Sequence, residues 1–374
     1  MDFNFNEEQT LIQNQVEQFI QKDYEWEERQ KLLDTELGYS LDNWKTFADL
    51  GWLGLSISEE NGGFGGGPID TMIIMEQFGK GLVLEPFLES IIMSGKILDL
   101  YAEDDQKKLL EELIEGKLQL ALAFTEPQSR FNLSDVTTTA KKEGENYLLN
   151  GYKSVVMNGP SANQIILSAR TAGDQFDQEG ITLFLIEREI DGLSKRDYKT
   201  VDGRRASEVT LENVRVSSKD IIGQEGKGFS ILDESIENSI LAISAEAVGA
   251  MEVLYKTTVE YTKTREQFGT PIGKFQVLQH RMVDMFMEYE QCKSLLFMAT
   301  MKKNEKANDS KKAISGLKYQ VGKAARFIGQ ESIQLHGGMG VTDELNVGHY
   351  FKRLTTISTI FGNTDFHLKR YTNL

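Results

Sequence analysis

A single carboxylate stands in an otherwise uncharged segment, NSILAISAEAVGAM, at positions 238–251. On a helix at about 100° per residue, Glu246 shares its face with small and apolar residues, and the nearest charged residues lie on the other side. Burial disfavours the charged form of a carboxylate and raises its pKa, which would make Glu246 a stronger base. Glu246 is therefore a candidate general base. Two alternatives remain open: a structural carboxylate paired with an arginine of an adjoining helix or subunit, and a hydrated helix interface.

The elements that would position Glu246 follow from the periodicity of the apolar residues. Three- and four-residue spacing predicts helices in the first third of the chain, and short β-branched segments between turn residues predict an antiparallel β module at about 120–220. Helical spacing then returns in four segments long enough for a bundle. These segments are 228–263, 275–305, 310–336 and 345–370. The sequence thus predicts an α+β protein with an N-terminal helical domain (1–119), a middle antiparallel β domain (120–225) and a C-terminal four-helix bundle (226–374).

Composition excludes several classes of function. The chain has 374 residues, 40% of them hydrophobic and 26% charged, as expected of a globular protein. Its net charge of −16 disfavours nucleic acid or an anionic membrane as the main partner. No apolar run is long enough to insert in a membrane, and the acidic start MDFNFNEEQT is unlike a signal peptide. One cysteine, Cys292, fits a reducing cytoplasm, and four scattered histidines lack the spacing of a metal site.

Four segments occur in order along the chain and together resemble the acyl-CoA dehydrogenase family. They are ALAFTEPQSRFNLSDV (121–136), YLLNGYKSVVMNG (147–159), YTKTREQFGTPIGKFQVLQHRMVDM (261–285) and QLHGGMGVTDELNVGHYFKRL (334–354). The resemblance covers essentially the whole chain. Finer features, LEPF at 84–87 and SAEAVGA at 244–250, look more like the bacterial members that act on pimeloyl-type or steroid side-chain thioesters. Several of those members assemble from two homologous subunits.

The resemblance implies a reaction. Members of this family hold FAD between the β domain and the C-terminal bundle, and form a double bond between Cα and Cβ of a CoA thioester. A base takes the α-proton while the β-hydrogen leaves as hydride to the flavin, so the flavin supplies the redox chemistry. The protein must orient the flavin and polarise the thioester carbonyl. The product is the trans-2-enoyl-CoA, and the electrons pass to an electron-transfer flavoprotein.

The resemblance also implies which residues contact the flavin. Phe124 and Thr125 of FTEP would lie against the ring, with its carbonyl edge bonded by backbone and hydroxyl. The alternative is an ordinary turn that ends a strand before a proline. Thr364 would contact the pyrophosphate.

Two further segments match those that contact the FAD of a neighbouring subunit. The residues are Arg265, Gln267 and Phe268 of REQFG, and Gln334, Gly337 and Gly338 of QLHGG. An arginine can donate two parallel hydrogen bonds to a pyrophosphate, and paired glycines allow close backbone approach to a ligand. The alternatives are an ordinary helix end and a C-capping glycine pair. The match implies that the protein is at least a dimer.

The chain departs from the family at both familiar positions of the base. The IYEGT segment near the C-terminus reads IFGNT, so Gly362 stands where many members have a glutamate. Members that carry the base on the helix after the β domain have it at the position of Ser239, followed by an arginine at the position of Ile240. Glu246 lies two turns beyond Ser239 on the same face, and is then the leading replacement.

A third departure concerns the flavin itself. The usual W-x-T/S segment reads Val155, Val156 and Met157, so the hydroxyl that bonds flavin N5 is gone. Met157 can still pack on the ring edge as a soft apolar contact. Arg281, Lys352 and Arg353 are cations available for CoA phosphates or for subunit contacts.

Two functions therefore follow from the sequence. The first is an FAD-dependent acyl-CoA dehydrogenase, forming a homo-oligomer (dimer or tetramer) or an α2β2 assembly with a homologous subunit. The second is a non-catalytic homologous subunit that completes the FAD or acyl site of a heteromeric enzyme. The acyl chain and the true base cannot be read from the sequence.

Overall fold

The computed structural model describes residues 5–374, and residues 1–4 of the predicted N-terminal domain lie outside the described residues. The chain forms two compact units. The helical unit contains Met1–Gln30, Gly67–Val83 and Ile240–Leu374. The β unit contains Lys31–Gly66 and Leu84–Ser239. The predicted α+β fold, with helices first, then a sheet, then helices, is confirmed.

The first third of the chain is helical, as its periodicity predicts. Its helices are α1 (Glu7–Lys22), α2 (Trp26–Leu32), α3 (Leu41–Asp49), α4 (Pro68–Gly81), α5 (Lys96–Tyr101), α6 (Asp104–Lys107) and α7 (Leu109–Ile114), with a π-helix at Leu88–Gly95. Local signals set the starts: Asn6 and Gln9 form a capping box for α1, and Pro68 occupies the first turn of α4.

The β unit is organised around one sheet of eight strands. The strands are β1 (Leu120–Ala123), β2 (Thr139–Glu143), β3 (Asn146–Met157), β4 (Gln164–Arg170), β5 (Ile181–Glu187), β6 (Leu193–Lys199), β7 (Arg205–Ser217) and β8 (Ile221–Ile222). Their order is β6-β7-β3-β2-β4-β5-β8, and β1 pairs with β4. Most neighbours are antiparallel as predicted, but β4 runs parallel to both β1 and β2. Apolar side chains such as Leu149, Phe184 and Val209 fill the core of the sheet.

The helical unit is built from long helices. They are α8 (Gly228–Thr264), which enters this unit at Ile240, α9 (Gln276–Asn304), α10 (Ser310–His336), α11 (Val347–Ile357) and α12 (Thr364–Asn373). Helix α10 packs against α9, α11 and α12. The segment 345–370, predicted as one helix, is two, because Phe361 (φ 58°) and Gly362 (φ 115°) adopt left-handed backbone conformations between them. A small hairpin of β9 (Glu266–Gln267) and β10 (Thr270–Pro271) joins α8 to α9.

Helices α4 and α8 cross with their backbones in direct contact. A Cβ added to Gly79 would overlap the carbonyl of Glu246, and a Cβ added to Gly249 would overlap the carbonyl of Glu76. Glycine is the residue that permits such an approach, although it weakens the helix itself by about 1 kcal/mol relative to alanine. The crossing therefore fixes where Glu246 lies.

Within residues 5–374, no helix combines the length and apolar character needed to span a lipid bilayer.

We expect Gly249→Ala to lower the free energy of unfolding by about 3 kcal/mol or more, because the new methyl group overlaps backbone that cannot move aside. Gly316 in α10 is the matched control, since its added Cβ would meet only the side chain of Tyr371 at 3.3 Å. Gly316→Ala should change the unfolding free energy by less than about 1 kcal/mol. Urea denaturation of both variants measures the difference, and equal effects would contradict the crossing geometry.

Candidate functional site

Glu246 lies in a dry environment and is paired. Its side chain is 1% exposed and that of Arg353, on α11, is 3% exposed. Arg353 donates from Nε to Oε1 at 2.6 Å and from Nη2 to Oε2 at 2.7 Å. Both carboxylate oxygens thus accept from one guanidinium, the bidentate arrangement for which arginine is suited. This geometry favours the structural alternative for Glu246 over its role as a base.

The same contact corrects an expectation about Arg353. The sequence left Arg353 available for CoA phosphates or for subunit contacts, but its side chain is buried against Glu246. Arg281, in contrast, is 41% exposed and pairs with Glu331 at 3.2 Å, and Lys352 is 42% exposed. Helical periodicity alone could not reveal this contact. It shows which residues share a face of α11, but it does not show which element packs against that face.

The family's base position on α8 holds no proton acceptor. Ser239 is fully buried, and its hydroxyl donates to the carbonyl of Ser235 at 2.7 Å, a local bond along the helix. Ile240 is 1% exposed and apolar. Glu237, on the charged side of α8, is also buried, with 2% of its surface exposed.

The family's second base position is a tightly built loop. Lys318 on α10 is buried, and its Nζ donates to the carbonyls of Ile357 at 2.8 Å and Gly362 at 3.0 Å. His367 bonds the carbonyl of Phe361 through Nε2 at 2.9 Å. A Cβ on Gly362 would lie 2.5 Å from Phe366 and 2.6 Å from Nε2 of His367. The loop has no room for a longer side chain at residue 362.

Burial sets the protonation of this loop's two titratable groups. Burial lowers the pKa of Lys318 to about 7. Burial also lowers the pKa of His367 to about 4, with the nearby Lys318 charge acting in the same direction. His367 is therefore neutral at pH 7, with its proton on Nε2, where the Phe361 carbonyl accepts it.

Thr364 begins α12 directly after this loop. Asn363 caps the helix, since its Oδ1 accepts from the backbone N–H of Phe366 at 2.9 Å. Thr364 is half-buried, and its methyl group lies where Gly322 of α10 leaves space for it. Its hydroxyl thus stands at the amino end of a helix, where the dipole favours a negative charge.

The residues predicted to contact the flavin ring come together in the β unit. Phe124 and Thr125 follow the end of β1 and are half-buried, as is Met157 at the end of β3. Ser154 of β3 donates its backbone N–H to the carbonyl of Thr125 at 2.8 Å, which joins the two segments. Val155, which lies between Ser154 and Met157 on β3, is 49% exposed and has a φ of 51°, an unusual conformation for a β-branched residue.

The REQFG residues form an exposed hairpin in the helical unit. Phe268 and Gly269 have φ values of 56° and 75°, the two left-handed residues that a tight hairpin turn requires. Phe268 is 93% exposed, and Arg265 and Gln267 are exposed as well. A phenylalanine that is both exposed and left-handed is costly in a single chain, as expected of a residue that contacts a ligand or a second subunit.

The QLHGG residues lie next to this hairpin. The ring of Tyr261, near the end of α8, stacks on His336 at 4.2 Å, and its hydroxyl donates to the His336 carbonyl at 3.4 Å. The backbone N–H of Arg265 donates to the carbonyl of Tyr261 at 2.9 Å, so REQFG and QLHGG are held together.

The glycine pair of QLHGG serves two purposes. Gly337, with a φ of 61°, caps α10, as the helix-end alternative predicts. Gln334, Gly337 and Gly338 are also exposed. A Cβ on either glycine would meet nothing within 4 Å, so the backbone there is open to a ligand.

Sequence reasoning missed two buried lysines. Lys153 on β3 continues the inward-facing alternation of Tyr147 and Leu149, and its side chain is 0% exposed. Lys318 lies on the apolar stripe of α10 with Leu317 and Val321. A lysine at an inward position of a strand or helix was the available signal.

Comparison with known proteins covers nearly the whole chain. Models of the acyl-CoA dehydrogenase N-terminal, middle and C-terminal domains match residues 6–117, 121–214 and 226–372. The L-prolyl-[peptidyl-carrier protein] dehydrogenase of Serratia sp. is 31% identical over 98% of this chain and 95% of its own. The 3-(aryl)acrylate reductase of Clostridium sporogenes is 28% identical over 96% of each chain. The caffeyl-CoA reductase-Etf complex subunit CarC of Acetobacterium woodii is 29% identical over 85% of each chain.

Two solved structures have the same fold as this chain. The FAD complex of PigA superposes with a TM-score of 0.92 and 28% identity, covering 100% of this chain and 98% of its own. A variant of the Tcur3481-Tcur3483 steroid ACAD superposes with a TM-score of 0.88 and 25% identity, covering 98% and 97%.

We expect Glu246→Leu and Arg353→Met each to lower the free energy of unfolding by about 3–5 kcal/mol, because each leaves a buried partner uncompensated. The double variant Glu246→Leu with Arg353→Met should recover most of that loss, since it removes both charges together. Denaturant midpoints of the four proteins form the cycle. Additive losses in the double variant would contradict a structural pair.

We expect Gly362→Glu to destabilise the protein rather than supply a base, because its Cβ overlaps Phe366 and His367. Gly362→Ala should lower the melting temperature more than Gly144→Ala, a control with a φ of 67° but nothing within 4 Å of its Cβ. The larger loss at Gly362 is expected from the overlap and also from its φ of 115°, which suits alanine less than 67° does. Equal melting temperatures for the two alanine variants would refute the crowded loop.

Proposed function

The chain belongs to the acyl-CoA dehydrogenase family of FAD-dependent oxidoreductases, and from that membership we propose that it forms the Cα–Cβ double bond of an acyl-CoA thioester. The product would be the trans-2-enoyl-CoA, with the electrons passed to an electron-transfer flavoprotein. The observation that supports the proposal is the backbone hydrogen bond from Ser154 to Thr125, which joins the two segments that we propose contact the flavin. We retain the three domains 1–119, 120–225 and 226–374, and a cytoplasmic location in keeping with the single, buried Cys292.

The residues present fit FAD. Phe124, Thr125 and Met157 offer a half-buried surface of apolar groups and one hydroxyl, suited to a flat ring with one polar edge. When bound, FAD supplies the hydride acceptor for the reaction. The chain's own part would be to hold the ring, and the backbone hydrogen bond from Ser154 to Thr125 supports this role by joining the two segments. With Met157 in place of a hydroxyl, the ring edge there would meet a thioether rather than a hydrogen-bond donor.

The nucleotide half fits a second group of residues. Arg265, Gln267 and Phe268 would hold the adenosine and pyrophosphate of a neighbouring subunit's FAD, together with Gln334 and the open backbone of Gly337 and Gly338. The guanidinium of Arg265 is exposed and can donate two hydrogen bonds to a phosphate. Thr364, at the amino end of α12, would bind the pyrophosphate through its hydroxyl.

A shared cofactor requires an oligomer, and α9 offers a surface for one. Large apolar side chains on this helix are strongly exposed in the single chain. They are Val277, Val283, Phe286, Met287 and Met298, with exposures of 64, 54, 45, 47 and 36%. Several exposed large apolar side chains on one helix are typical of a subunit interface. We propose that a second copy or a homologous subunit covers it.

The second function, a subunit that completes the site of a heteromeric enzyme, rests on a specific observation. Arg353 occupies both oxygens of Glu246, and neither Ser239 nor Gly362 can accept a proton. In that assembly the base would come from the partner, while this chain would contribute its flavin surface and its hairpin. The relative named for a steroid ACAD carries two chain names, which is in keeping with such an assembly.

The relatives also define which substrates to test. One is named for a carrier-protein thioester, one for an aryl acrylate and one for a CoA thioester with an Etf complex. For this chain we propose the CoA thioester in the oxidative direction. Carrier-bound acyl groups and enoyl substrates with reduced flavin serve as the comparison panel.

Purification with and without a co-expressed homologous subunit separates the two functions. A yellow homo-oligomer that bleaches with acyl-CoA supports the stand-alone enzyme. A chain that becomes yellow only with the second subunit supports the heteromeric one. A protein that takes up no FAD in either form would refute both.

The role of Glu246 has its own test in the yellow protein. We expect Glu246→Gln, measured at a temperature where it remains folded, to bleach flavin within about threefold of the unsubstituted rate. Removal of a general base should instead slow bleaching by roughly 10²–10⁴-fold. The exposed Asp365→Asn is the matched control for an acid near the proposed site. A loss of that size in Glu246→Gln alone would restore Glu246 as the base.

A further inference from the structure

We propose that the buried ion pair between Glu126 and Lys153 is the positioning device for the flavin surface. It would fix the segments Phe124–Thr125 and Val155–Met157 at one separation. The inference rests on the proposed function, because it assumes that these segments contact flavin.

The sheet alone does not hold these two segments. Strand β1 ends at Ala123, so Phe124 and Thr125 lie beyond its last ladder position. The pairing of β3 with β7 shifts register between Lys153 and Val156, and the residue left over at this bulge is Val155. Bulges interrupt the ladder and redirect side chains. Val156 and Met157 pair with β7 again, so the ladder leaves only Val155 and the segment Phe124–Thr125 to be positioned by other contacts.

The ion pair lies directly beside the hydrogen bond that joins the segments. Lys153 donates from Nζ to Oε1 of Glu126 at 2.6 Å, and both side chains are 0% exposed. The neighbouring residues, Ser154 and Thr125, share the backbone hydrogen bond of 2.8 Å. Two adjacent connections prevent the segments from rotating about a single contact. Lys153 also donates to Oγ of Ser168 on β4 at 3.0 Å, which ties the pair to the sheet.

Glu126 extends this connection to the loop that follows it. Its Oε2 accepts from the backbone N–H of Thr137 at 2.8 Å, from the Thr137 hydroxyl, and from Nε2 of Gln128 at 2.8 Å. Its Oε1 accepts from the backbone N–H of Thr138 at 3.1 Å. The Glu126 carboxylate is thus bonded to the turn after FTEP, to the residues that lead into β2, and to Lys153 of β3.

The energetics suit positioning rather than stabilisation. Burial acts to raise the pKa of Glu126, but the charge and hydrogen bond of Lys153 and the bonds from Thr137 and Thr138 outweigh it, and the pKa falls to about 2. Burial lowers the pKa of Lys153 to about 8 against the attraction of Glu126. Both groups are therefore charged at neutral pH. The free energy that favours the charged Glu126 carboxylate is largely offset by the free energy that disfavours the charged Lys153 ammonium, as is common for buried ion pairs.

A charge-free double variant tests the proposal. Glu126→Gln with Lys153→Met removes both charges while keeping similar volumes, so the protein should fold and melt close to the unsubstituted protein. We expect its FAD to bind at least tenfold more weakly, with a shifted flavin absorption band and a shifted reduction potential. The single variant Lys153→Met should show the same flavin changes and a lower melting temperature.

Phe184→Leu is the matched structural control. Phe184 is a fully buried core residue of β5 that packs on Tyr147 at 5.4 Å, and it has no hydrogen bond or charge in the proposed positioning device. It should lower the melting temperature while leaving the flavin spectrum and potential unchanged. FAD affinity, spectrum and potential are measured on the holoprotein, alone or with its homologous subunit, well below every melting point.

The outcomes separate this inference from the proposed function. If the unsubstituted protein binds FAD and the double variant binds it with the same affinity, spectrum and potential, the positioning role is wrong and the proposed function stands. If Phe184→Leu alters the flavin as much as the double variant does, the effect is general destabilisation and the positioning role is again wrong. If the unsubstituted protein takes up no FAD in any assembly, both ideas fall together.

Discussion

The backbone contact between α4 and α8 is the constraint from which most of the helical unit follows. Two glycines, Gly79 and Gly249, let the helices approach until each meets the other's carbonyls. The side chain of Glu246 is buried beside this crossing, with 1% of its surface exposed, so its carboxylate needs a partner from the protein. Arg353 does so with two hydrogen bonds, and that pair attaches α11 to α8. Ile357, at the end of α11, has the carbonyl that accepts a hydrogen bond from Lys318. The position of the loop before α12 therefore also depends on the crossing of α4 and α8.

Buried charge is used in two different ways in the two units. Lys153 faces a carboxylate, and the pair remains ionised at neutral pH. Lys318 faces backbone carbonyls, and burial brings its pKa to about 7. In both cases the long lysine side chain connects backbone segments that regular secondary structure leaves unconnected. The segments concerned are those that we propose contact the cofactor, so positions set by buried charge coincide with the proposed cofactor positions.

Much of this arrangement follows from the sequence, and the remainder depends on distances between elements. Helical periodicity placed Glu246 on a buried face, because every apolar neighbour on that face is fixed by a 3.6-residue repeat. It could not choose Arg353 as the partner, because that choice depends on how closely α11 packs on α8. The break at residues 358–363 was missed because a single glycine, Gly362, is a weak signal within a helical pattern. Phe361 is left-handed there as well, and Lys318 and His367 hold the carbonyls of Gly362 and Phe361. Lys153 was overlooked as an inward-facing residue, since a lysine on a strand is usually exposed.

Gly362 also bears on how this protein could change in evolution. In a loop with open space, a glycine and a glutamate could replace each other by single steps, and a lost base could be regained. Here the volume that a side chain would occupy is filled by Phe366 and His367, and His367 bonds the carbonyl of the residue before the glycine. A glutamate at residue 362 would need accompanying changes at Phe366 and His367, because both side chains occupy the space of its Cβ. The neighbours of Gly362 thus make the absence of a carboxylate at this position hard to reverse. Selection would more readily recruit an acid from another position or another chain.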